Sequence, residues 1–232
     1  MDTIKKALVV GGSSDIGKEL INIFLEHNYT VISASRSDVN IDSSSFTSIS
    51  GLSLDSIDDL NTLEEIAATS NPSSVAYLPG MIDNLDLDSL TTESLIQAFT
   101  CNLFGYWMCI KACKERMKER NFGRFCSVSS IGSKFGGGNK RFSYTTSKKA
   151  LEFFPREFKD LGKYNIFVNN VVCGVTDTKM LDLKPEQRAE RAGLIPIKRL
   201  AKPNEIALEL FLLCSDRNTY RHCSNTTISG GE

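Results

Sequence analysis

Residues 5–17 read Lys5-Lys6-Ala7-Leu8-Val9-Val10-Gly11-Gly12-Ser13-Ser14-Asp15-Ile16-Gly17, and Thr30-Val31-Ile32-Ser33-Ala34 follows a short polar-apolar stretch from Lys18 to His27. Lys5 to Val10 ends in an apolar run that stops at two glycines, the pattern of a buried strand closed by a turn. Leu20, Ile21, Phe24 and Leu25 fall at helical spacing beyond it. Thr30 to Ala34 is a second short β run. The stretch therefore predicts strand, glycine-rich turn, helix, strand, about the length of one βαβ unit.

The same alternation continues outward. Residues 35–51 are rich in Ser and Asp and predict a loop. Leu52 to Leu54 predicts a third strand and Asp58 to Thr69 a helix, broken at Asn71-Pro72. Val75 to Leu78 is a fourth strand, Thr92 to Glu119 a long helix, and Phe125 to Val128 a fifth strand. Gly132 to Asn139 predicts a loop, and Tyr144 to Leu161 a helix interrupted by Pro155. Ile166 to Val172, Glu205 to Cys214 and Thr226 to Ile228 complete the series as strand, helix and strand. Alternating strands and helices imply a parallel sheet covered on both faces. Right-handed crossovers make it doubly wound. The fold class is α/β, a single-domain doubly wound sheet of about seven strands over residues 1–232.

Composition narrows the function. With 232 residues the chain can bury a full core as one unit. Lys plus Arg total 27 and Asp plus Glu 28, a net charge of -1. That balance argues against a dedicated nucleic-acid or anionic-membrane binder. No apolar run reaches the ~18–20 residues that span a bilayer. The opening residues lack the features of a signal peptide, so a cytoplasmic location is the expectation. The seven cysteines include no Cys-x-x-Cys pair and there are only two histidines, which predicts reduced core thiols and no structural metal site.

Three segments carry chemistry. Gly11 to Gly17, between a strand and a helix, would let a phosphate approach the exposed amides of the helix start. It lacks the standard G-x-G-x-x-G spacing, and a plain strand-to-helix turn is the alternative. Arg36 follows the second strand, where adenine-ribose recognition takes place in such folds. A carboxylate there would favour NAD, whereas an Arg can pair with a 2′-phosphate, so NADP(H) is favoured over NAD(H). Asp38 could pair with Arg36 instead. Tyr144 and Lys148, four residues apart on a helix, share a face. A phenol of pKa ~10 needs ~4 kcal/mol of anion stabilisation to titrate near neutrality, part of which a cation can supply. So tuned, it is a general acid suited to a carbonyl oxygen.

Taken together these segments resemble the classical group of the short-chain dehydrogenase/reductase family, over nearly the whole chain. Val10-Gly11-Gly12-Ser13-Ser14-Asp15-Ile16-Gly17 resembles its T-G-x-x-x-G-x-G cofactor loop. Asp55 matches the adenine-contacting Asp, Asn102 the catalytic Asn, Ser130 the catalytic Ser (Ser129 being the alternative), and Tyr144 with Lys148 the Tyr-x-x-x-Lys pair. Cys173-Gly174-Val175-Thr176-Asp177-Thr178 resembles the P-G-x-x-x-T segment near the nicotinamide, and Ile228-Ser229-Gly230-Gly231 the closing V-D-G-G.

The resemblance implies an NADP(H)-dependent oxidoreductase, nearest by overall pattern to the 3-oxoacyl-carrier-protein reductase-like branch. It interconverts a carbonyl and a secondary alcohol on a small-molecule or carrier-bound substrate, with no metal. It implies that Tyr144 donates the proton, Lys148 binds the ribose and lowers the Tyr144 pKa, Ser130 bonds the substrate oxygen, and Asn102 holds a helix position and a water. Gly11, Ser13, Ser14, Asp15, Ile16, Gly17, Arg36, Asp55, Gly80, Tyr144, Lys148, Val175 and Thr178 would hold the cofactor. Residues 179–200 would be a substrate lid, whose Lys and Arg suggest an acidic or carrier-borne substrate, and the protein would be a homodimer or homotetramer.

Four departures stand out. Val10 replaces a Thr, Asp15 a Gly, Tyr77-Leu78-Pro79 the first three residues of N-N-A-G (only Gly80 is kept), and Cys173 a Pro. The alternative they open is a non-catalytic nucleotide-binding or scaffolding protein of the same fold.

Overall fold

The computed structural model describes residues 5–232. Seven strands form one sheet: β1 (Lys6–Val10), β2 (Thr30–Ala34), β3 (Phe46–Ile49), β4 (Ser74–Tyr77), β5 (Gly123–Ser130), β6 (Ile166–Cys173) and β7 (Asn225–Ile228). Their order is β3-β2-β1-β4-β5-β6-β7, and every neighbouring pair is parallel. The helices are α1 (Asp15–Glu26), α2 (Ile57–Ser70), α3 (Thr92–Phe99), α4 (Gly105–Glu119), α5 (Gly132–Phe135), α6 (Phe142–Ala150), α7 (Arg156–Asp160), α8 (Pro185–Leu194) and α9 (Pro203–Cys214). None among the described residues is long and apolar enough to cross a membrane.

The predicted doubly wound sheet is present, with the direction of winding reversing between β1 and β4. At such a switch the loops leave the strand ends in opposite directions and open a crevice at the carboxyl edge. One face of the sheet is covered by α1 and α9, where Leu20, Ile21 and Phe24 pack with Ile206, Leu210 and Phe211. The other is covered by α2 and α4, where Leu63 and Ala67 pack with Cys109, Cys113 and Met117. All seven cysteines are free, and Cys101, Cys109, Cys113, Cys126 and Cys214 are buried.

Three local expectations are corrected. Leu52 to Leu54 is not a strand. The third strand is Phe46–Ile49, inside the stretch expected to be a loop, and it pairs with β2 at the sheet edge. Its sequence Phe-Thr-Ser-Ile is half polar because an edge strand keeps part of its surface in water. Leu52 and Leu54 reach the core from irregular backbone, Leu54 at φ +62°. The helix expected to run from Tyr144 to Leu161 ends at Ala150 and restarts after Pro155. Proline removes a donor and disfavours helix in the residue before it, so the chain breaks there rather than kinks. Residues 132–135, expected as loop, form the short α5.

The long helix expected over Thr92 to Glu119 is continuous in direction, but Thr100–Phe104 forms a π-turn between α3 and α4. The fully buried Tyr77 donates its hydroxyl to the Cys101 carbonyl at 2.6 Å. A Cβ on Gly105 would stand 2.2 Å from that same hydroxyl oxygen. Tyr77 and Gly105 are therefore a matched pair that seats the π-turn. Ala is ordinarily better than Gly in a helix by ~1 kcal/mol, yet Gly105→Ala should lower stability by ~1–3 kcal/mol through overpacking. In a Tyr77→Ala background the same change should be neutral or stabilising. Urea denaturation of the four proteins measures this.

Candidate active site

The carboxyl edge of the sheet gathers the singled-out segments. Val10 leads into Gly11, Tyr77 into Pro79 and Gly80, β5 ends at Ser130, and β6 ends at Cys173 before Gly174. At the first of these, Gly11 adopts φ +81°, open to glycine and rarely to other residues. Gly17 presses so close that a Cβ would lie 2.6 Å from the Gly11 carbonyl oxygen. Ser14 caps α1, accepting from the Gly17 amide at 3.1 Å and donating to the Gly11 carbonyl at 2.8 Å. The Asp15 and Ile16 amides, in the first turn of α1, carry no hydrogen bond among the described residues. Free amides at a helix N-terminus favour an anion.

The loop is braced from β2 rather than by a hydroxyl at position 10. Val10 is wholly buried in the core. The Ser13 amide donates to Ser35 Oγ at 3.2 Å, and Ser35 Oγ lies 3.1 Å from Ser33 Oγ. Asp15 is not the N-cap. It reaches across to the segment after β6, where its carboxylate accepts from the Lys179 amide at 2.8 Å. Arg36 is exposed and makes no ion pair with Asp38. Asp55 is exposed just before α2, with its amide donating to Asp59 Oδ2 at 3.2 Å.

Around the second cluster, Tyr144 is half-buried on α6 and Ser130 is partly exposed at the end of β5. Ser130 Oγ accepts from the Gly132 amide at 3.1 Å, and its nearness to the Tyr144 phenol works against the effect of burial there. Ser129 is buried and faces away, its one hydroxyl proton shared between the Lys148 carbonyl at 3.0 Å and Glu152 Oε1 at 2.9 Å. Asn102 is fully buried in the π-turn and holds the peptide of Met81 at both ends, accepting from its amide at 2.7 Å and donating to its carbonyl at 3.2 Å. Its Nδ2 also donates to Ser147 Oγ at 2.8 Å, and Ser147 donates to the Tyr144 carbonyl at 3.0 Å. A buried chain of bonds thus ties the loop after β4 to the helical turn that carries Tyr144. Nothing in the sequence marked Met81 or Ser147.

Lys148 is 2 % exposed, and its Nζ donates to the Pro79 and Val128 carbonyls, both at 2.7 Å. Burial lowers its pKa to about 8. The ammonium lies 6.0 Å from the centre of the Tyr144 ring. The phenol is raised to about 12, by burial first and then by Cys173, against smaller lowering effects from Ser130 and Arg141. The sequence implied the opposite, a phenol lowered by Lys148. Two backbone carbonyls hold the ammonium, and desolvation dominates the phenol. Cys173 donates to the Ser129 carbonyl at 3.2 Å, and burial raises its pKa, so it stands here as a thiol and not a thiolate. Gly80 lies beside Met180 and Lys148: a Cβ there would be 3.2 Å from Met180 Cε and 3.6 Å from Lys148 Nζ. Val175 and Thr178 lie between β6 and residues 179–200, partly exposed.

Residues 179–200, the segment expected to be a lid, are tied to neighbouring parts of the chain. Arg188 pairs with Asp177 and donates to the Leu181 carbonyl at 2.7 Å, Arg191 pairs with Glu232, and Arg199 meets both oxygens of Glu205 at 2.7 Å. The arginines of residues 179–200 are thus engaged within the chain, which removes most of the argument from a basic segment there to an acidic substrate.

A parallel sheet with its crevice at a winding reversal, a glycine-bent loop and a buried lysine beside a tyrosine define a nucleotide-binding α/β oxidoreductase. The family model described as enoyl-(acyl carrier protein) reductase matches residues 73–232. The chain belongs to the short-chain dehydrogenase/reductase family of enzymes. It is 29% identical over 242 residues to a 3-oxoacyl-(acyl-carrier-protein) reductase of Pseudomonas aeruginosa, covering 98% of this chain and 96% of that one. It is 32% identical over 146 residues to an L-rhamnose-1-dehydrogenase of Scheffersomyces stipitis, covering 61% of this chain and 57% of that one. A crystal structure of a 3-oxoacyl-(acyl-carrier-protein) reductase from Agrobacterium tumefaciens, with NADP bound, superposes with a TM-score of 0.85 at 19% identity, covering 98% of this chain and 94% of that one.

The Lys148 burial has a measurable sign. Its folded pKa of about 8 lies below the ordinary value of 10.5. Between those values the unfolded chain binds more protons, so stability rises with pH. From pH 7.5 to 9.5 the wild type should gain ~2 kcal/mol relative to Lys148→Met. Urea denaturation at both pH values checks this, and parallel curves for the two proteins would refute the buried ammonium.

Proposed function

We propose that this chain is an NADP(H)-dependent oxidoreductase that interconverts a carbonyl and a secondary alcohol. The carrying observation is the convergence of Ser130, Tyr144, Lys148 and Asn102 beside the glycine-bent loop at one sheet edge.

The residues at hand fit the cofactor. Gly17 packs too close to the Gly11 carbonyl for a Cβ, which fixes the loop against the start of α1 and leaves the amides of Asp15 and Ile16 free for a phosphate. Ser13 and Ser14 shape it, and Arg36, unpaired with Asp38, would take the 2′-phosphate. The solved relative with NADP bound supports the same preference. Asp55, Gly80, Val175 and Thr178 would line the remainder of the cleft. When bound, the cofactor supplies or accepts the hydride.

The chain's own residues then move and hold the proton. Tyr144, neutral up to about pH 12, is a proton donor throughout the physiological range in the direction of carbonyl reduction. Ser130, beside the Tyr144 phenol, would share the substrate oxygen with it. Lys148, cationic below about pH 8, would favour the phenolate left after proton transfer and would bind the ribose hydroxyls on release from its carbonyls. Asn102 fixes the Tyr144 turn through Ser147. The exposed Phe135, Phe142 and Met180 near the mouth suit a substrate with an apolar portion. Ile96 on α3 and Phe153 just beyond α6 are exposed apolar side chains, which suits the expected homo-oligomer.

Nicotinamide fluorescence should show NADPH binding at least tenfold tighter than NADH. Arg36→Ser should remove most of that ratio with little effect on NADH. In a carbonyl-substrate screen with NADPH, Tyr144→Phe should lower turnover by a factor of 10² or more. Binding of neither nucleotide, or unchanged turnover in Tyr144→Phe, would overturn the assignment.

A further inference from the structure

Asp15 stands where family members carry glycine, and it does not cap α1. Its carboxylate spans from the glycine loop to the lid and accepts from the Lys179 amide at 2.8 Å, joining groups 164 residues apart in sequence. On the lid side the contact lands on a prefolded turn. The Arg188 guanidinium pairs with Asp177 and donates to the Leu181 carbonyl at 2.7 Å, while its Nε donates to the Leu183 carbonyl at 3.1 Å. The next residue, Met180, reaches over Gly80 toward Lys148. One carboxylate thus ties the start of the lid across the cleft, beside free amides that favour an anion.

We infer that Asp15 is a positioning residue that latches the lid at Lys179 and sets cofactor affinity by competing, as a built-in anion, with the cofactor's diphosphate. This rests on the cofactor reading above. The diphosphate would come close to the carboxylate, and like charges at short range repel unless screened. A glycine would offer neither the latch nor the repulsion. The lid is therefore held by the protein itself and yields as the cofactor binds, at a cost in affinity.

Two substitutions separate latch from charge. Asp15→Asn keeps an acceptor for the Lys179 amide and removes the charge. Asp15→Gly removes both. Trypsin digestion without cofactor, with cleavage sites assigned by mass spectrometry, reads the latch at the Lys179–Met180 bond. Cleavage there should be threefold or more faster in Asp15→Gly and close to wild type in Asp15→Asn. NADPH titration by fluorescence reads the charge: both variants should bind threefold or more tighter at low salt, with the gap to wild type narrowing at high salt as screening increases. A helix-capping or purely structural role would not give that salt dependence. Equal cleavage rates in wild type and Asp15→Gly overturn the latch, and equal affinities in wild type and Asp15→Asn overturn the competition. Failure of all three proteins to bind NADPH would overturn the cofactor assignment, while the cleavage comparison would still decide the latch.

Discussion

The structure depends on the reversal of winding between β1 and β4. A parallel sheet must send each chain over one face or the other, and where the direction changes the two departing loops diverge. The candidate site gathers around that divergence. The loop after β1 bends at Gly11 so that α1 can start against it, and Gly17 must be bare because its neighbour is the Gly11 carbonyl. The loop after β4 brings Pro79, Gly80 and Met81 opposite, and β5 and β6 add Ser130 and Cys173 at the same level. The site is thus a product of topology before it is a product of particular side chains.

Positioning then depends on buried polar bonds, not on packing alone. Asn102 makes three hydrogen bonds inside the protein and has no exposed surface. A buried amide left unpaired would cost ~1–3 kcal/mol, so the loop at Met81 and the turn at Tyr144 hold a fixed spacing. The π-turn at Thr100–Phe104 aims Asn102 sideways out of an otherwise regular helix. Such turns widen a helix locally and often occur at functional sites. Tyr77 and Gly105 make this one possible from either side.

Much of this was legible in the sequence. The strand-turn-helix-strand reading of residues 5–34 and the alternation after it gave the α/β sheet, because central strands are buried on both faces and read as apolar runs. The edge strand Phe46–Ile49 escaped because half its surface meets water and its Ser and Thr resemble loop. The end of α6 at Ala150 escaped because Pro155 acts several residues back, through the non-helical turn before it. Spacing placed Ser130, Tyr144, Lys148 and Asn102 in one region, and in the structure Asn102 reaches Tyr144 through Ser147 and the Lys148 ammonium lies beside the Tyr144 ring. Their surroundings were not legible. The carbonyls of Pro79 and Val128, which hold Lys148, are backbone groups that every residue carries. The balance that raises Tyr144 depends on burial, which no local pattern records.

The departures from the family pattern are best understood as pairs. Val10 lacks a hydroxyl, and the Ser33–Ser35 pair on the adjacent strand takes over the bracing of Ser13. Tyr77 replaces a small polar residue, and Gly105 clears space for its ring. Asp15 replaces glycine, and the Lys179 amide receives its charge. In each pair the partner lies on a different element, so the altered residue is satisfied within the fold rather than left as a defect. A decaying site would accumulate unpartnered polar groups and collapsed space at the crevice. Here the substituted positions are hydrogen-bonded or packed, and the reacting residues converge. That pattern is what a functioning, differently tuned cleft requires, and it favours catalysis over a fold kept only as a scaffold.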